Sequence, residues 1–432
     1  MKVRNVLIFP AGTEIGLEIY HALADCKDVK VFGAGQAVSN PAELVFDHYH
    51  LIPNIFQPGW LADLVSLCEK LEIDYIYPAY DDVIVALQEI SEQLPCTVIA
   101  ASKETCRITR SKLQTYKVLE GSVKVPTVFS NPAQIPSFPV FVKPDRGQGS
   151  RDATRVDDAA TLAVACASIR EPLICEYLPG DEFTIDCFSD REQGLLFAAG
   201  RRRIRMRNGI AVNSVSENLP GIERIAAAIS DRLSMRGPWF FQVKRADTGE
   251  LTLLEVAPRI AGSMALNRMR GVNFPLLGIY EHERLPVRLL TYDGPLEIDR
   301  ALSNRYRHSI RYSVAYIDLD DTLILRGAVN LPVLTLVFQC INRSIGVKLI
   351  TRHRFDVEAT LNQYRLDNVF DEVIHITDGR PKSDFIKEHD AILVDDSFSE
   401  RRDVSHHCNI PTFDCSMIEL LLNSPASGTR GH

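Results

Sequence analysis

The chain has no apolar run long enough to cross a membrane. Its apolar stretch at residues 331–341 is shorter than the ~20 residues that a bilayer requires, so it predicts a buried helix instead. No secretory apolar region precedes the strand-like residues 6–9. Positive charge is not in excess, since the net charge is −8, and this disfavours a general nucleic-acid surface. We therefore expect a cytoplasmic protein with neither membrane nor nucleic-acid partners.

Several common binding motifs are also missing. The ten cysteines form no C-x-x-C pair and no zinc-ligand spacing, so they predict reduced thiols. There is no GxxxxGK[ST] loop and no complete GxGxxG. The glycine-containing turn at residues 11–16 is compatible with an anion cradle, but a tight turn in a doubly wound α/β sheet is the simpler explanation. The 432 residues, 46% hydrophobic and 24% charged, predict two to four globular domains.

Polar residues follow strand-like apolar segments in the C-terminal part of the chain. Because open α/β sheets gather their chemistry at the carboxyl ends of strands, we expect these residues to meet. The set combines a nucleophilic carboxylate, a neighbouring acid, a hydroxyl, a cation and an acidic pair, which suits phosphoryl transfer with a divalent metal. Its members are Asp318, Asp320, Thr351, Lys382, Asp395 and Asp396.

The order D-x-D-x-T, Thr, Lys, Asp-Asp resembles the haloacid-dehalogenase-like (HAD) phosphohydrolases over about residues 310–425. The resemblance implies that Asp318 is the nucleophile and Asp320 the general acid/base. It also implies that Thr351 and Lys382 hold the transferring phosphoryl group. Mg²⁺, or alternatively Mn²⁺, would be bound by Asp318, the Asp320 carbonyl and one residue of the pair Asp395 and Asp396. The alternative is a set of acidic helix caps, which explains one motif but not four.

The spacing of these motifs bears on the substrate. Residues 323–331 and the segment between Thr351 and Lys382 are too short to hold a folded cap domain. We therefore expect a capless domain with an open site for a phosphorylated small molecule.

A second series of polar residues lies in the middle of the chain. Lys143 ends a strand-like segment and is followed by a glycine-containing flap, residues 147–151. Residues 173–186 predict two strands joined by a polar turn, and residues 239–259 predict a hairpin around residues 247–249. An ammonium group with mobile backbone donors can bind the phosphates of a nucleotide, and Glu182 can accept a hydrogen bond from a ribose hydroxyl.

This series resembles the ATP-grasp superfamily, in its carbamoyl-phosphate-synthase-like branch, over about residues 1–295. The resemblance implies that Gln242 and Glu255 bind Mg²⁺ and that Arg259 steadies the γ-phosphate or an acyl phosphate. Ala257 stands where many relatives have a metal-binding asparagine, and Asn267 is a candidate substitute. The implied ATP-binding residues are Lys112, Lys143, Gly147, Gly149, Ser150, Glu176, Leu178 and Glu182.

The arginine-rich segment at residues 201–207 has two interpretations. On a strand, Arg201, Arg203, Arg205 and Arg207 would share one face, which could bind an anionic substrate. A solvated edge strand protected by charge fits equally well.

The predicted fold is α/β with three parts. These are a pre-ATP-grasp α/β domain at residues 1–105, ATP-grasp α+β domains at residues 106–304 and a Rossmann-like capless HAD domain at residues 305–432. Residues 423–432, rich in Ser and Gly, predict a disordered tail.

The predicted function is that of a bifunctional enzyme. It would be an ADP-forming ligase that joins a small-molecule carboxylate to an amine, fused to a phosphatase. Two alternatives stay open: a phosphatase with a regulatory nucleotide-binding domain, and a nucleotide-sensing interaction protein without turnover. The sequence leaves the oligomeric state open, with a homodimer as one option.

Overall fold

The computed structural model describes residues 2–147, 149 and 151–422, so Ser150 and the predicted disordered tail lie outside the described residues. The chain forms two compact units, Met1–Leu302 and Ser303–His432. None of the described helices is long and apolar enough to cross a membrane.

The first unit begins with a five-stranded parallel sheet in the order β3-β2-β1-β4-β5. Apolar residues of β1 alternate between two clusters, Val6 and Ile8 in one and Leu7 and Phe9 in the other, so both faces of the sheet are covered. The strands are β1 (Arg4–Phe9), β2 (Val29–Gly35), β3 (Tyr49–Leu51), β4 (Tyr75–Pro78) and β5 (Thr97–Val98). The helices are α1 (Glu14–Leu23), α2 (Ala42–Val45), α3 (Trp60–Lys70), α4 (Asp81–Glu89) and α5 (Lys103–Arg110).

A four-stranded antiparallel sheet follows, in the order β6-β9-β7-β8. Its strands are β6 (Val128–Phe129), β7 (Val140–Pro144), β8 (Thr154–Val156) and β9 (Pro172–Glu176). Its helices are α6 (Lys112–Leu119) and α7 (Ala159–Ser168).

The third sheet of this unit has six antiparallel strands in the order β14-β13-β10-β11-β12-β15. Helix α8 packs on it through Ala226 and Ile229, which share a cluster with Phe183 and Trp239. The strands are β10 (Glu182–Asp190), β11 (Gly194–Arg207), β12 (Ile210–Glu217), β13 (Gly237–Arg245), β14 (Leu251–Ala257) and β15 (Glu297–Asp299). The helices are α8 (Ile222–Leu233), α9 (Ala265–Met269) and α10 (Phe274–His282).

The predicted hairpin at residues 239–259 is confirmed, because β13 pairs directly with β14. The two strands predicted within residues 173–186 are also confirmed as β9 and β10, but they belong to different sheets. The turn between them therefore passes from the four-stranded sheet to the six-stranded one.

The edge-strand interpretation of the arginine-rich segment is wrong for its beginning, because Arg201 and Arg202 on β11 pair with β10 on one side and with β12 on the other. Among the described residues the pairing with β10 ends at Arg202, and the rest of the segment pairs with β12 alone. The alternative of one continuous arginine face is also wrong, because the register shifts on both sides of Arg205. Arg201 is buried and Arg203 half-buried, whereas Arg205 and Arg207 are exposed.

The second unit is built on a parallel sheet in the order β20-β19-β16-β21-β22. Its central strand β16 is apolar on both faces, as expected for a parallel strand covered on both sides. The strands of the unit are β16 (Val314–Ile317), β17 (Ile324–Leu325), β18 (Ala328–Val329), β19 (Gly346–Thr351), β20 (Glu372–His375), β21 (Ala391–Val394) and β22 (Thr412–Phe413). The helices are α11 (Leu331–Asn342), α12 (Val357–Gln363), α13 (Phe398–Cys408) and α14 (Ile418–Leu421).

The segments between the motifs of this unit are short elements. The β17–β18 hairpin lies between the first motif and α11, and α12 and β20 lie between Thr351 and Lys382. The apolar stretch at residues 331–341 is a helix, but it is buried on one face only. Leu336 is fully buried, whereas Leu331 and Phe338 are exposed.

Candidate functional site

Lys143 lies at the end of β7 and points into a cleft of the first unit. Its side chain is nearly buried, with 7% of the residue exposed. The ammonium Nζ donates to the hydroxyl of Tyr116 at 2.7 Å, and that hydroxyl donates to the carbonyl of Leu254 at 2.6 Å. Burial lowers the pKa of Lys143, while the negative groups around it act in the opposite direction. Among the described residues, the ammonium of Lys143 therefore has two hydrogen-bond acceptors, the Tyr116 hydroxyl and, at 3.5 Å, the Leu254 carbonyl.

Lys112 is the first residue of α6 and lies beside the flap. Its Nζ donates to the carbonyl of Gly147 at 3.0 Å. Its backbone N–H donates to the carbonyl of Asp145 at 3.2 Å. The backbone N–H of Leu113 donates to Oδ1 of the same aspartate at 2.7 Å. Asp145 thus joins the beginning of the helix to the segment that follows Lys143. Burial also lowers the pKa of Lys112.

One pocket brings together most of the residues predicted to bind ATP. Gly149 is not among the described residues that line it, and Ser150 lies outside the described residues. Cys175 and Tyr177 line the pocket as well, although neither side chain was among the predicted site residues. The predicted residues that line it are Lys112, Lys143, Gly147, Glu176, Leu178, Glu182, Gln242 and Glu255.

Two predicted metal ligands lie next to each other in this pocket. Gln242 on β13 is opposite Glu255 on β14 in the antiparallel ladder, so both side chains share one face. Arg203 of β11 reaches the same place: it forms an ion pair with Glu182 and donates to Gln242 Oε1 at 3.4 Å. Ala257 offers no side-chain ligand atom. Gln242 and Glu255 therefore contribute one amide oxygen and one carboxylate.

Arg259 lies in an adjacent pocket that shares Lys112, Gly147 and Glu255 with the first. Its guanidinium is held by both carboxylate oxygens of Asp81, the first residue of α4, with the Nη2–Oδ2 distance at 3.1 Å. Burial alone would raise the pKa of Asp81, but Arg259 holds it below its usual value. Helix α4 of the N-terminal α/β part thereby supplies a side chain to this pocket.

Asn267 and Arg201 do not line either pocket. Arg201 donates to both carboxylate oxygens of Asp186 at 2.9 and 3.1 Å, and Asn267 Nδ2 donates to the same carboxylate at 2.8 Å. All three residues are nearly inaccessible to solvent. This group is a buried ionic cluster of the six-stranded sheet.

The second unit brings its predicted residues together at the carboxyl ends of its parallel strands. Lys382 Nζ donates to Asp318 at 2.5 Å and to Asp395 at 2.6 Å, and all three residues are buried. Burial raises the pKa of Asp318 to about 7; Lys382 opposes this shift and Asp395 adds to it. Although burial alone would lower it, the two carboxylates hold the pKa of Lys382 above its usual value.

Three carboxylates of this site are close enough to bind one cation. Ligand oxygens of Asp318, Asp395 and Asp396 all lie within 4.8 Å of one another. The backbone N–H of Asp396 donates to Thr322 Oγ1 at 2.9 Å, which links the last motif to the first. Carboxylates at this distance repel one another unless positive charge compensates them; the ammonium of Lys382 does so for Asp318 and Asp395, and the oxygen ligands also suit Mg²⁺.

Asp320 and Thr351 have a shared neighbour that the sequence analysis missed. Nδ1 of His353 lies 2.8 and 3.0 Å from the two carboxylate oxygens of Asp320. The backbone N–H of His353 donates to Thr351 Oγ1 at 3.0 Å. A histidine two residues after a strand-end threonine was the available signal. Tyr116 had no such signal, and Asp81 was visible only as an acidic residue following β4.

Two family models match parts of the first unit. One, described as PylC-like, N-terminal domain, matches residues 6–99. The other, described as ATP-grasp in the biosynthetic pathway with Ter operon, matches residues 168–289. The comparison of the amino-acid sequence with curated proteins found no match.

Solved structures resemble the chain at low identity. One is the biotin carboxylase domain of 2-oxoglutarate carboxylase from Hydrogenobacter thermophilus, in complex with MgADP, ADP and bicarbonate. Its sequence identity is 14% and its TM-score is 0.58, and the match covers 69% of this chain and 74% of that one. The L-amino acid ligase from Bacillus licheniformis is 18% identical with a TM-score of 0.53, covering 65% and 74%. The N5-carboxyaminoimidazole synthetase from Staphylococcus aureus, complexed with ADP, is 14% identical with a TM-score of 0.55, covering 67% and 80%.

These similarities establish the fold of most of the chain. It is an ATP-grasp fold preceded by a PylC-like α/β domain. Both matching family models end before residue 290, so neither extends into the second unit.

Proposed function

We propose that the first unit is an ATP-dependent ligase that activates a carboxylate as an acyl phosphate and joins it to an amine. The observation that carries this proposal is the convergence of Lys112, Lys143, Glu182 and Glu255 in one pocket of an ATP-grasp fold. Two similar structures contain ADP, one of them with magnesium, and a third is an L-amino acid ligase. These features favour nucleotide binding and carboxylate chemistry here.

The side chains of the pocket fit the parts of ATP. Lys112 and Lys143 would bind phosphate oxygens, and their lowered pKa values reflect a buried environment that a polyanion would compensate. Glu182 would accept from the ribose hydroxyls, and the backbone from Glu176 to Leu178 would contact the adenine edge. Since the Lys112 ammonium is bonded to Gly147, closure of the flap over ATP would also order this cation.

Mg²⁺ fits the pair formed by Gln242 and Glu255, since this ion commonly takes one or two protein oxygens and completes its shell with phosphate and water. When bound, it would neutralise charge on the transferring phosphoryl group. Arg259 would stabilise the developing charge on the acyl phosphate from the neighbouring pocket. Its pairing with Asp81 fixes the plane of the guanidinium. A guanidinium has five N–H groups, so others than those bonded to Asp81 can donate to a ligand.

We also propose that the second unit is a magnesium-dependent phosphatase of the HAD type. Asp318 would attack the phosphorus of the substrate, and the ester bond would break as Asp320 gives a proton to the leaving oxygen. Lys382 would offset the charge of the nucleophile, and Thr351 would bind a phosphoryl oxygen. Bound Mg²⁺ at Asp318, Asp395 and Asp396 would screen the approach of a dianion to these carboxylates.

The two activities can be tested separately on the full chain. ADP release is measured with pairs of carboxylates and amines, and phosphatase activity with p-nitrophenyl phosphate. Lys143→Ala and Glu255→Ala should abolish ligase turnover while sparing ester hydrolysis, and Asp318→Asn should do the reverse. Absence of ATP binding by calorimetry would refute the ligase, and ester hydrolysis that persists in Asp318→Asn would refute the assigned nucleophile.

A further inference from the structure

We propose that His353 is a positioning residue that holds the carboxylate of Asp320 in place for proton transfer to the leaving group. This inference rests on the phosphatase proposed for the second unit. It concerns a side chain that the four motifs do not include.

The carboxylate of Asp320 has little else to hold it. Its side chain is 54% exposed, whereas that of His353 is 10% exposed. Within the part of the chain that the structure describes, His353 is the one hydrogen-bond partner of this carboxylate. A half-exposed carboxylate without a partner would sample several rotamers, and general acid catalysis requires it within hydrogen-bond reach of the leaving oxygen.

The imidazole of His353 is itself fixed at its other nitrogen. Nε2 lies 2.9 Å from Thr360 Oγ1. The Thr360 hydroxyl donates its single proton to the carbonyl of Asp356 at 2.9 Å, so it accepts from Nε2–H. With a proton on each ring nitrogen, the imidazole also donates from Nδ1–H to the carboxyl group of Asp320. Helix α12, which contains Thr360, therefore sets the plane and the tilt of the ring.

The backbone of His353 is anchored as well. Its N–H donates to Thr351 Oγ1 at 3.0 Å, and its carbonyl accepts from His375 Nε2 at 2.7 Å. Thr351 ends β19 and His375 ends β20, so two neighbouring strands of the sheet hold the residue. Asp320 is thus connected through His353 to the same threonine that would bind the phosphoryl group.

This arrangement predicts which step depends on His353. In the first half-reaction the Asp318–phosphorus bond forms, the ester bond breaks, and the leaving oxygen takes the proton from Asp320. In the second, water attacks the phosphorus, the aspartyl bond breaks, and a proton of the water returns to Asp320. A poor leaving group needs the first proton most, so a misplaced Asp320 should slow such esters selectively.

The test compares two esters on the full-length protein with Mg²⁺. Phenyl phosphate releases an ordinary phenol, with a pKa near that of a tyrosine side chain, about 10. p-Nitrophenyl phosphate releases a far more acidic phenol that hardly needs protonation. We expect His353→Ala to lower kcat for phenyl phosphate by about tenfold more than it lowers kcat for p-nitrophenyl phosphate. General acid–base catalysis supplies about 10²–10⁴-fold in rate, and a misplaced acid should lose part of it.

Two further variants make the outcome specific. His353→Asn places an N–H donor near the position of Nδ1 and should restore much of the phenyl phosphate activity. His406→Ala changes an exposed histidine of α13 in the same unit and should leave both activities unchanged. Equal losses on both esters in His353→Ala, no loss, or no restoration by asparagine would overturn the positioning role. A wild-type protein inactive on both esters would refute the proposed phosphatase together with this role. If the wild type is active and Asp318→Asn is not, the phosphatase stands, and the His353 variants then test the positioning role alone.

Discussion

Loss of the guanidinium at Arg201 should destabilise the first unit strongly. Arg201 and Asp186 are 2% and 0% exposed in their side chains, and the guanidinium donates to both carboxylate oxygens. Arg201→Met would leave Asp186 buried and, among the described residues, bonded through its side chain to the amide of Asn267 alone, at 2.8 Å. Removing one partner of a buried ion pair typically costs about 3–5 kcal/mol, because the other charge stays behind without compensation.

The same strand contains a matched control. Arg205 forms an ion pair with Asp299, but the two side chains are 58% and 51% exposed. Arg205→Met makes the same change of charge and of side chain on β11, and it should have only a small effect, since water replaces the lost partner of an exposed pair.

The assay follows from the position of the tryptophans. The chain has two, Trp60 in α3 and Trp239 in β13, so their emission reports on the first unit alone. Urea unfolding of the full chain, monitored by this emission, should give a large fall in midpoint for Arg201→Met and a small one for Arg205→Met. Equal shifts, or an Arg201→Met protein as stable as wild type, would refute the role of the buried pair.

Three further predictions concern the two sites. Asp81→Asn should lower carboxylate-dependent ADP release by up to about 10²-fold through a misplaced guanidinium, while Asp82→Asn on the same turn should change it little; equal effects would contradict the proposed anchoring of the arginine. Tyr116→Phe should weaken ATP binding by up to about tenfold in calorimetry by removing a hydrogen bond to a buried ammonium; unchanged affinity would argue against it. The folded pKa of Asp318, about 7, is above the unfolded value of about 3.9, so this group stabilises the fold fully below pH 4 and loses that effect as pH rises through 7. Mg²⁺ competes with the proton, so the gain in melting temperature on adding Mg²⁺ should be larger at pH 8 than at pH 6, and equal gains would contradict the assigned pKa.

The linear order of the motifs predicted many of the residues that the structure brings together in the two candidate sites. Gln242 and Glu255 were expected together because a hairpin brings them together, and β13 and β14 do so. Asp318 and Asp395 were expected together because parallel strands end at one edge, and β16 and β21 are neighbours. Local periodicity and turn residues suffice for such inferences, since each depends on one strand pairing.

The neighbours that tune these residues could not be predicted in the same way. Asp81 reaches Arg259 across 178 residues, and Arg203 meets Glu182 because the antiparallel register of β10 and β11, in which Phe183 pairs with Arg202, brings these two side chains together. Strand order also decided that Arg201 and Arg202 lie between two neighbouring strands of their sheet, which no local pattern records.

The sequence by itself determined which residues carry charge, where strands end and which short patterns follow them, because these depend on neighbours along the chain. Only the tertiary structure decided which charges are buried, which partner each one meets and how far its pKa moves. Burial and pairing are set by packing between distant elements, and a charge that leaves water is governed by whichever groups surround it there.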